Sequence, residues 1–174
     1  MKKKFAMMCA AALLAVLVVL PATASASITL TAKEKRVVAL INQIRADEGL
    51  AKLSVKTSLV RAARGHSAEM GAKQYFGHDS YNGESFAKRL IRGGYVREGY
   101  SVWRAGENVA WGGGLFSTPE IIVDNWMHSD GHRAVILTRS FRNIGIGVKK
   151  CEEGYGSCTD PVFFFTLDLG RRIK

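Results

Sequence analysis

The chain has 174 residues, and at roughly 100–200 residues per domain it has room for one domain and none for a second of ordinary size. That excludes a multidomain machine. Lys and Arg number 25 against 15 Asp and Glu, a formal charge of +10. Such an excess favours anionic headgroups and acidic wall polymers as partners, while no basic run with interleaved aromatics marks a nucleic-acid groove.

Residues 1–26 divide into Lys2-Lys3-Lys4, an apolar run from Phe5 to Leu20, and Pro21 followed by small residues ending Ala24-Ser25-Ala26. This is the layout of a secretory signal peptide cleaved after Ala26. The competing reading, a retained anchor, meets a run of 16 residues where a span needs about 20. Cys9 precedes most of that run, whereas a lipidated cysteine would follow it, so a lipid anchor is rejected. Removal of 1–26 takes three lysines and leaves 148 residues with 22 basic side chains against 15 acidic ones, a charge of +7. The expected mature protein is a single domain over 27–174, secreted or periplasmic, that does not span a membrane. Its two cysteines, Cys151 and Cys158, form an even count in an exported chain and are expected to pair as a disulfide. Closing so short a loop would stabilise the fold by about 2–3 kcal/mol.

Thr31-Ala32-Lys33-Glu34 has the form of a capping box, and Val37, Leu40, Ile41 and Ile44 then recur at helical spacing until Gly49. A second helix is expected from Ser54 to about Gln74, with Leu59, Ala62, Ala63, His66 and Met70 on one face. The loop Tyr75–Ser80 follows, then a short helix through Phe86, Leu90 and Ile91 that ends at Gly93-Gly94. Gly106–Gly114 holds too many glycines for a helix and reads as a short strand entering a turn. Thr118-Pro119-Glu120 supplies cap, first-turn proline and first-turn acid for a helix through Trp126, broken at Asp130-Gly131, and His132 to Leu137 forms another turn or short helix. Two β segments close the chain, Asn143–Lys150 and Val162–Leu169, joined through the cysteine loop. Helices first and paired strands last is an α+β order, with helices packed on a small, mainly antiparallel sheet.

Four histidines are candidates for chemistry. His66 lies on an apolar helix face and reads as a hydrogen-bonded core residue. His128 and His132 are four apart, the spacing of a shared zinc ion on one helix face, but Gly131 interrupts the helix and no glutamate follows His128, so His128 reads as solvated. His78 and His132 stand beside element boundaries where distant segments converge. Glu107, flanked by small residues at a strand start, is either a surface charge or a buried acceptor. Asn108 reads as a partner for backbone groups and Trp126 as core. Gly145 and Gly147 alternate with Ile144 and Ile146, leaving one strand face bare so that another backbone can approach.

Tyr75-Phe76-x-His78, Gly106-Glu107-Asn108-Val109-Ala110, Trp126-Met127-x-Ser129-x-Gly131-His132-Arg133 and Asn143-Ile144-Gly145-Ile146-Gly147 stand in the order and spacing of the bacterial branch of the CAP superfamily. From Val37 to Gly170 the chain resembles that superfamily, which also holds the cysteine-rich secretory proteins, venom antigens and class 1 pathogenesis-related proteins. The resemblance implies an α-β-α sandwich with a central cleft. In many members two histidines and two acids line it, and the histidines can hold a divalent metal, often zinc. By motif the histidines fall on His78 and His132 and the first acid on Glu107. The second acid falls on Ser129, whose hydroxyl supplies no charge, with Asp130 as a substitute that could swing in.

An open zinc site needs two imidazoles, a carboxylate and a water. If Glu107 only hydrogen-bonds a histidine, two protein ligands remain and metal affinity falls. Two functions follow from the resemblance and the residues. One is a secreted binding protein whose cleft takes a metal, a lipid or a cell-envelope ligand without turnover. The alternative is a zinc hydrolase of peptide, peptidoglycan or phosphoester bonds, with Glu107 as general base. A serine hydrolase ranks third, since no Gly-x-Ser-x-Gly elbow is present.

Overall fold

The capping box forms as expected: Glu34 N donates to Thr31 Oγ1 at 3.3 Å, and Thr31 N donates to the Glu34 carboxylate at 2.8 Å. It starts α1, Ala32–Asp47. The computed structural model describes residues 28–174, so the signal-peptide segment 1–26 lies outside the described residues. After α1 come β1 (Ser54–Val55), α2 (Thr57–Lys73), α3 (Phe86–Arg92), β2 (Val102–Gly113), a 3-10 turn (Gly114–Ser117), α4 (Pro119–Met127), α5 (Asp130–Ile136), β3 (Asn143–Cys151) and β4 (Val162–Ile173).

The strands form one sheet in the order β1-β3-β4-β2. β1 runs parallel to β3, and the other two pairings are antiparallel. Register fixes the faces, because paired residues share one. Gly145, Asp168 and Glu107 align across the sheet, as do Gly147, Thr166 and Val109. That face carries α2 and α3: Ser67 of α2 donates to Gly147 O at 3.0 Å, and its hydroxyl lies 2.9 Å from Thr166 Oγ1. The alternate face, with Ile144, Ile146, Phe165, Leu167 and Leu169, packs against Val37 and Ile41 of α1, Ile122, Val123 and Trp126 of α4, and Ile136 of α5. Helices therefore cover both faces in an α-β-α sandwich.

Buried polar groups tie the layers. Arg64 of α2 reaches Glu34 of α1 through Nε at 2.8 Å and Nη2 at 2.6 Å. Arg45 is buried without a carboxylate and donates to the carbonyls of Ala51, Ile136, Thr138 and Phe141. One α1 side chain thus organises the turn after α1 and the segment between α5 and β3.

Three elements differ from expectation. β2 begins at Val102, four residues before Gly106, because all twelve of its residues pair with β4. Its glycines serve close approach: a Cβ at Gly106 would lie 3.2 Å from the Phe141 ring, and one at Gly112 would lie 2.2 Å from Phe116 O. Ser54 and Val55 form β1, so the second helix starts at Thr57. The expected disulfide is absent, and Cys151 and Cys158 are free thiols. Cys151 Sγ faces α2, 3.8 Å from Gly71 O, and accepts from Gln74 Nε2 at 3.3 Å. Cys158 Sγ lies 3.6 Å from Asp160 O. The loop is closed instead by backbone pairing of Tyr155 with Cys158.

The bare face of β3 sets how closely α2 lies on the sheet. A Cβ at Gly147 would fall 2.3 Å from the main chain of Ala63 and Arg64, and one at Gly145 would fall 2.3 Å from that of Leu59. Backbone cannot yield as a side-chain tip can, so Gly147→Ala should cost at least about 2 kcal/mol through overpacking. Urea unfolding measures this, and a loss below about 0.5 kcal/mol would show that α2 is not held so close.

Candidate functional site

Glu107 and Asn108 are consecutive on β2, an outer strand of the sheet, so their side chains leave opposite faces. Each fixes one histidine-bearing segment. On the α2–α3 face, Glu107 Oε1 lies 3.0 Å from His78 Nδ1. On the α4–α5 face, Asn108 Nδ2 donates to His132 O at 3.0 Å. The strand edge thereby brings together residues 54 positions apart in sequence, and His78, Glu107, Asn108, Ser129, Gly131, His132 and Val135 line a cleft of about 400 Å³.

The carboxylate of Glu107 is buried, with its side chain 1% exposed. Its second oxygen accepts from Arg89 Nη2 of α3. Arg89, 3% exposed, also donates to His78 O at 3.0 and 3.1 Å and to Ser80 Oγ at 3.1 Å. Its guanidinium therefore holds both the carboxylate and the loop that carries His78. His66, fully buried as expected of a core histidine, fixes the same loop from beneath, its Nε2 lying 2.9 Å from Gly77 O. Burial and the charge of Arg89 lower its pKa, so the neutral ring donates that bond.

Asp168 stands opposite Glu107 in the sheet register and is completely buried. As a carboxylate it would have no partner for either oxygen. Burial, together with the charge of Glu107, pushes its pKa well up. The protonated acid is a donor, and Glu107 is the acceptor beside it. Arg89, Glu107 and neutral Asp168 then sum to no net charge in the interior, which is the form that burial tolerates.

The two cleft histidines are driven apart. The hydrogen bond to Glu107 raises the pKa of His78, while burial and then the charge of His78 lower that of His132. Near neutrality His78 is the better donor and His132 the better acceptor. Ser129 lines the cleft and caps α5 without a side-chain capping bond, so its hydroxyl remains available. Asp130 is exposed and does not line the cleft. His128 is solvated as expected, its side chain 77% exposed beside Asp124.

The donors do not make the open zinc site of two imidazoles and a carboxylate. Both oxygens of Glu107 are engaged, one by His78 and one by Arg89. Among the described residues no group of three or more His, Cys, Asp or Glu side chains is placed to hold a metal ion. Two imidazoles remain. His78 keeps Nε2 free because Glu107 takes Nδ1, the orientation that a carboxylate imposes on a ligand histidine, yet a third protein donor is missing.

Sequence reasoning found His78, His132, Glu107, Ser129 and Asn108, and missed Arg89, Asp168 and Ser80. Asp168 carried a readable signal: it is the one charged residue in Val162–Leu169, a run otherwise of apolar residues and one threonine, where a strand buried on both faces cannot solvate it.

Residues 38–169 match the model of the cysteine-rich secretory protein family, CAP. The chain belongs to the CAP family. It is similar to YkwD of Bacillus subtilis, 40% identical over 126 residues that make up 72% of this chain and 46% of that protein. The crystal structure of an extracellular protein containing an SCP domain from Bacillus anthracis superposes with a TM-score of 0.62 at 27% identity, over 83% of this chain and 45% of that one. An outer surface protein of Borrelia burgdorferi shares the fold, with a TM-score of 0.63 at 19% identity over 83% and 96% of the two chains. The chain thus spans less than half the length of YkwD and of the Bacillus anthracis protein.

In this CAP domain, Arg89→Met would leave the Glu107 carboxylate buried without its counter-charge. The expected loss is about 3–5 kcal/mol, read by urea unfolding; a loss under about 1 kcal/mol would mean that the pair does not organise the site. Asp168 predicts a pH dependence. Its folded pKa lies above the unfolded one, so the folded state holds a proton that the unfolded chain releases, and stability falls as pH rises above the unfolded value. Asp168→Asn keeps an N–H donor towards Glu107 and removes that cost. Its melting temperature should exceed that of the parent protein at pH 8, with the gap narrowing towards pH 4. A variant that melts lower at pH 8 would remove the neutral-acid assignment.

Proposed function

We propose that the protein is an exported CAP-domain binding protein whose cleft takes a hydroxyl-rich cell-envelope ligand between His78, His132 and Ser129, without turnover. Support for export comes from the signal-peptide layout of residues 1–26 and from likeness to a Bacillus anthracis protein described as extracellular. The observation that carries the reading is the engagement of Glu107. A general base must reach a proton on substrate or water, and this carboxylate is buried and held at both oxygens by His78 and Arg89. Its work is to orient His78.

What remains in the cleft suits recognition. One imidazole donates, the other accepts, and a serine hydroxyl does either, which matches the alternating donors and acceptors of a sugar hydroxyl array. The zinc-hydrolase alternative requires a third donor and a free base, and Glu107 would have to leave Arg89 to provide either. Zinc on two imidazoles alone is expected to be held weakly, so residues 27–174 purified without a histidine tag should carry far less than one zinc per chain.

The probe for binding is a mixture of soluble peptidoglycan fragments made by muramidase digestion. Titration followed by imidazole NMR signals should shift His78 and His132, His132→Ala should weaken binding about tenfold, and mass spectra of the fragments should stay unchanged. Fragment cleavage that Glu107→Gln abolishes would replace this reading with the hydrolase. Absence of any shift would remove peptidoglycan sugars as the ligand class.

A further inference from the structure

At the start of β2, three residues before Glu107, a second hollow with its own lining is surrounded by three arginines. Arg104, Arg142 and Arg171, with Ser140, Val102 and Ile173, line a cavity of about 260 Å³. Arg104 and Arg171 are direct cross-strand partners. Like charges placed opposite one another destabilise a sheet unless a counter-charge lies between them. Among the described residues no carboxylate comes within 4 Å of any of the three guanidinium groups; the ion pairs that do form engage Arg36, Arg64, Arg89, Arg92 and Arg133. Ser140 adds a hydroxyl that has no hydrogen-bond partner.

The neighbouring positive groups are settled in other ways, which isolates these three. Arg172 lies over the rings of Tyr95 and Tyr100, 4.2 and 4.4 Å from their centroids. Arg45 spends its donors on carbonyls, and the charge of Arg142 adds to the burial that depresses its pKa. Arg142 uses Nη1 on the carbonyls of Arg139 and Phe141, both at 2.7 Å. The rest of its fork has no such partner among the described residues, and cavity-lining Arg104 and Arg171 are not drawn into ion pairs.

We infer that this arginine hollow binds a phosphodiester group of an anionic polymer. Planar guanidinium forks match tetrahedral oxyanions bidentately, and the opposed pair would gain from a negative group between them. Val102 and Ile173 give the rim an apolar wall for the carbon links between successive phosphates. The mature charge of +7 steers such a polymer towards the surface. A bilayer is the less suitable occupant. The most exposed apolar side chains, Leu115 and Phe116 at 79% and 70%, follow the opposite end of β2, roughly 25–30 Å from Arg104 at the usual rise per residue. The assignment rests on the proposed function only in placing the protein at the cell envelope, and it does not involve the cleft.

The probe is soluble poly(glycerol phosphate), titrated into residues 27–174 at moderate salt. The double variant Arg104→Gln/Arg171→Gln should lose about tenfold in affinity and show a shallower salt dependence. It should fold at least as stably as the parent, since opposed charges are removed. A charge-matched control, Lys35→Gln/Lys149→Gln, removes two exposed lysines elsewhere on the surface and should stay within about twofold of the parent. His78→Ala/His132→Ala should bind the polymer unchanged, which separates this site from the cleft. Inorganic phosphate should compete. An equal loss in the lysine control, failure of the parent to bind polymer, or capture by anionic phospholipid vesicles without polymer binding would each overturn the inference.

Discussion

The pair formed by Arg89 and Glu107 is the contact on which the rest of the cleft depends. A buried ion pair contributes little net stability, because desolvation of two charges offsets most of their attraction. Its effect here is placement. Arg89 holds the Glu107 carboxylate, the carbonyl of His78 and the hydroxyl of Ser80 at once, so a short helix, a strand and a loop meet at one guanidinium. The remaining oxygen of Glu107 is left to aim the His78 ring. Without the arginine, the buried carboxylate would lose its counter-charge and the strand its tie to the His78 loop, and nothing would fix the ring.

That pair requires a dry, close seam between helix and sheet. Gly145 and Gly147 let the backbone of α2 lie directly on β3, and Ser67 closes the contact with Thr166 and the Gly147 carbonyl. With α2 seated, His66 meets the loop at Gly77 and Met70 meets Phe164. Packing on one face of the sheet thus determines where the His78 loop starts, while Trp126, donating to Val109 O at 3.2 Å, does the corresponding work for α4 on the other face. The two histidines come from layers that share no helix, and they meet because both layers are referenced to the same strand.

The fold was legible wherever a residue had a local duty. Thr31 and Glu34 cap a helix, Thr118 and Pro119 start another, and alternation with isoleucine exposes Gly145 and Gly147 as contact points. His78, His132 and Glu107 were legible through motif order. Residues whose duty is wholly tertiary were not. Arg89 lies at helical spacing between Phe86 and Leu90 with nothing local to mark it as buried, and its partner is 18 positions away. The even cysteine count suggested a covalent link, whereas in the structure both thiols are free, Cys151 Sγ lying 3.2 Å from Gly154 O and Cys158 Sγ 3.6 Å from Asp160 O.

Charge is distributed unevenly along the long β2–β4 pair, between its middle and one end. Around Glu107 the interior is neutral overall, because Asp168 holds a proton and Arg89 cancels the remaining carboxylate, so the cleft presents hydrogen-bonding groups in preference to a strong field. Past Ala105 the same two strands diverge in character: Arg104 faces Arg171 with no acid between them, and the positive potential is left to solvent. A ligand chosen for hydroxyl geometry would be favoured at the first place and one chosen for negative charge at the second. Because salt screens charge far more than it weakens a directional hydrogen bond, ionic strength should separate the two modes on a single molecule.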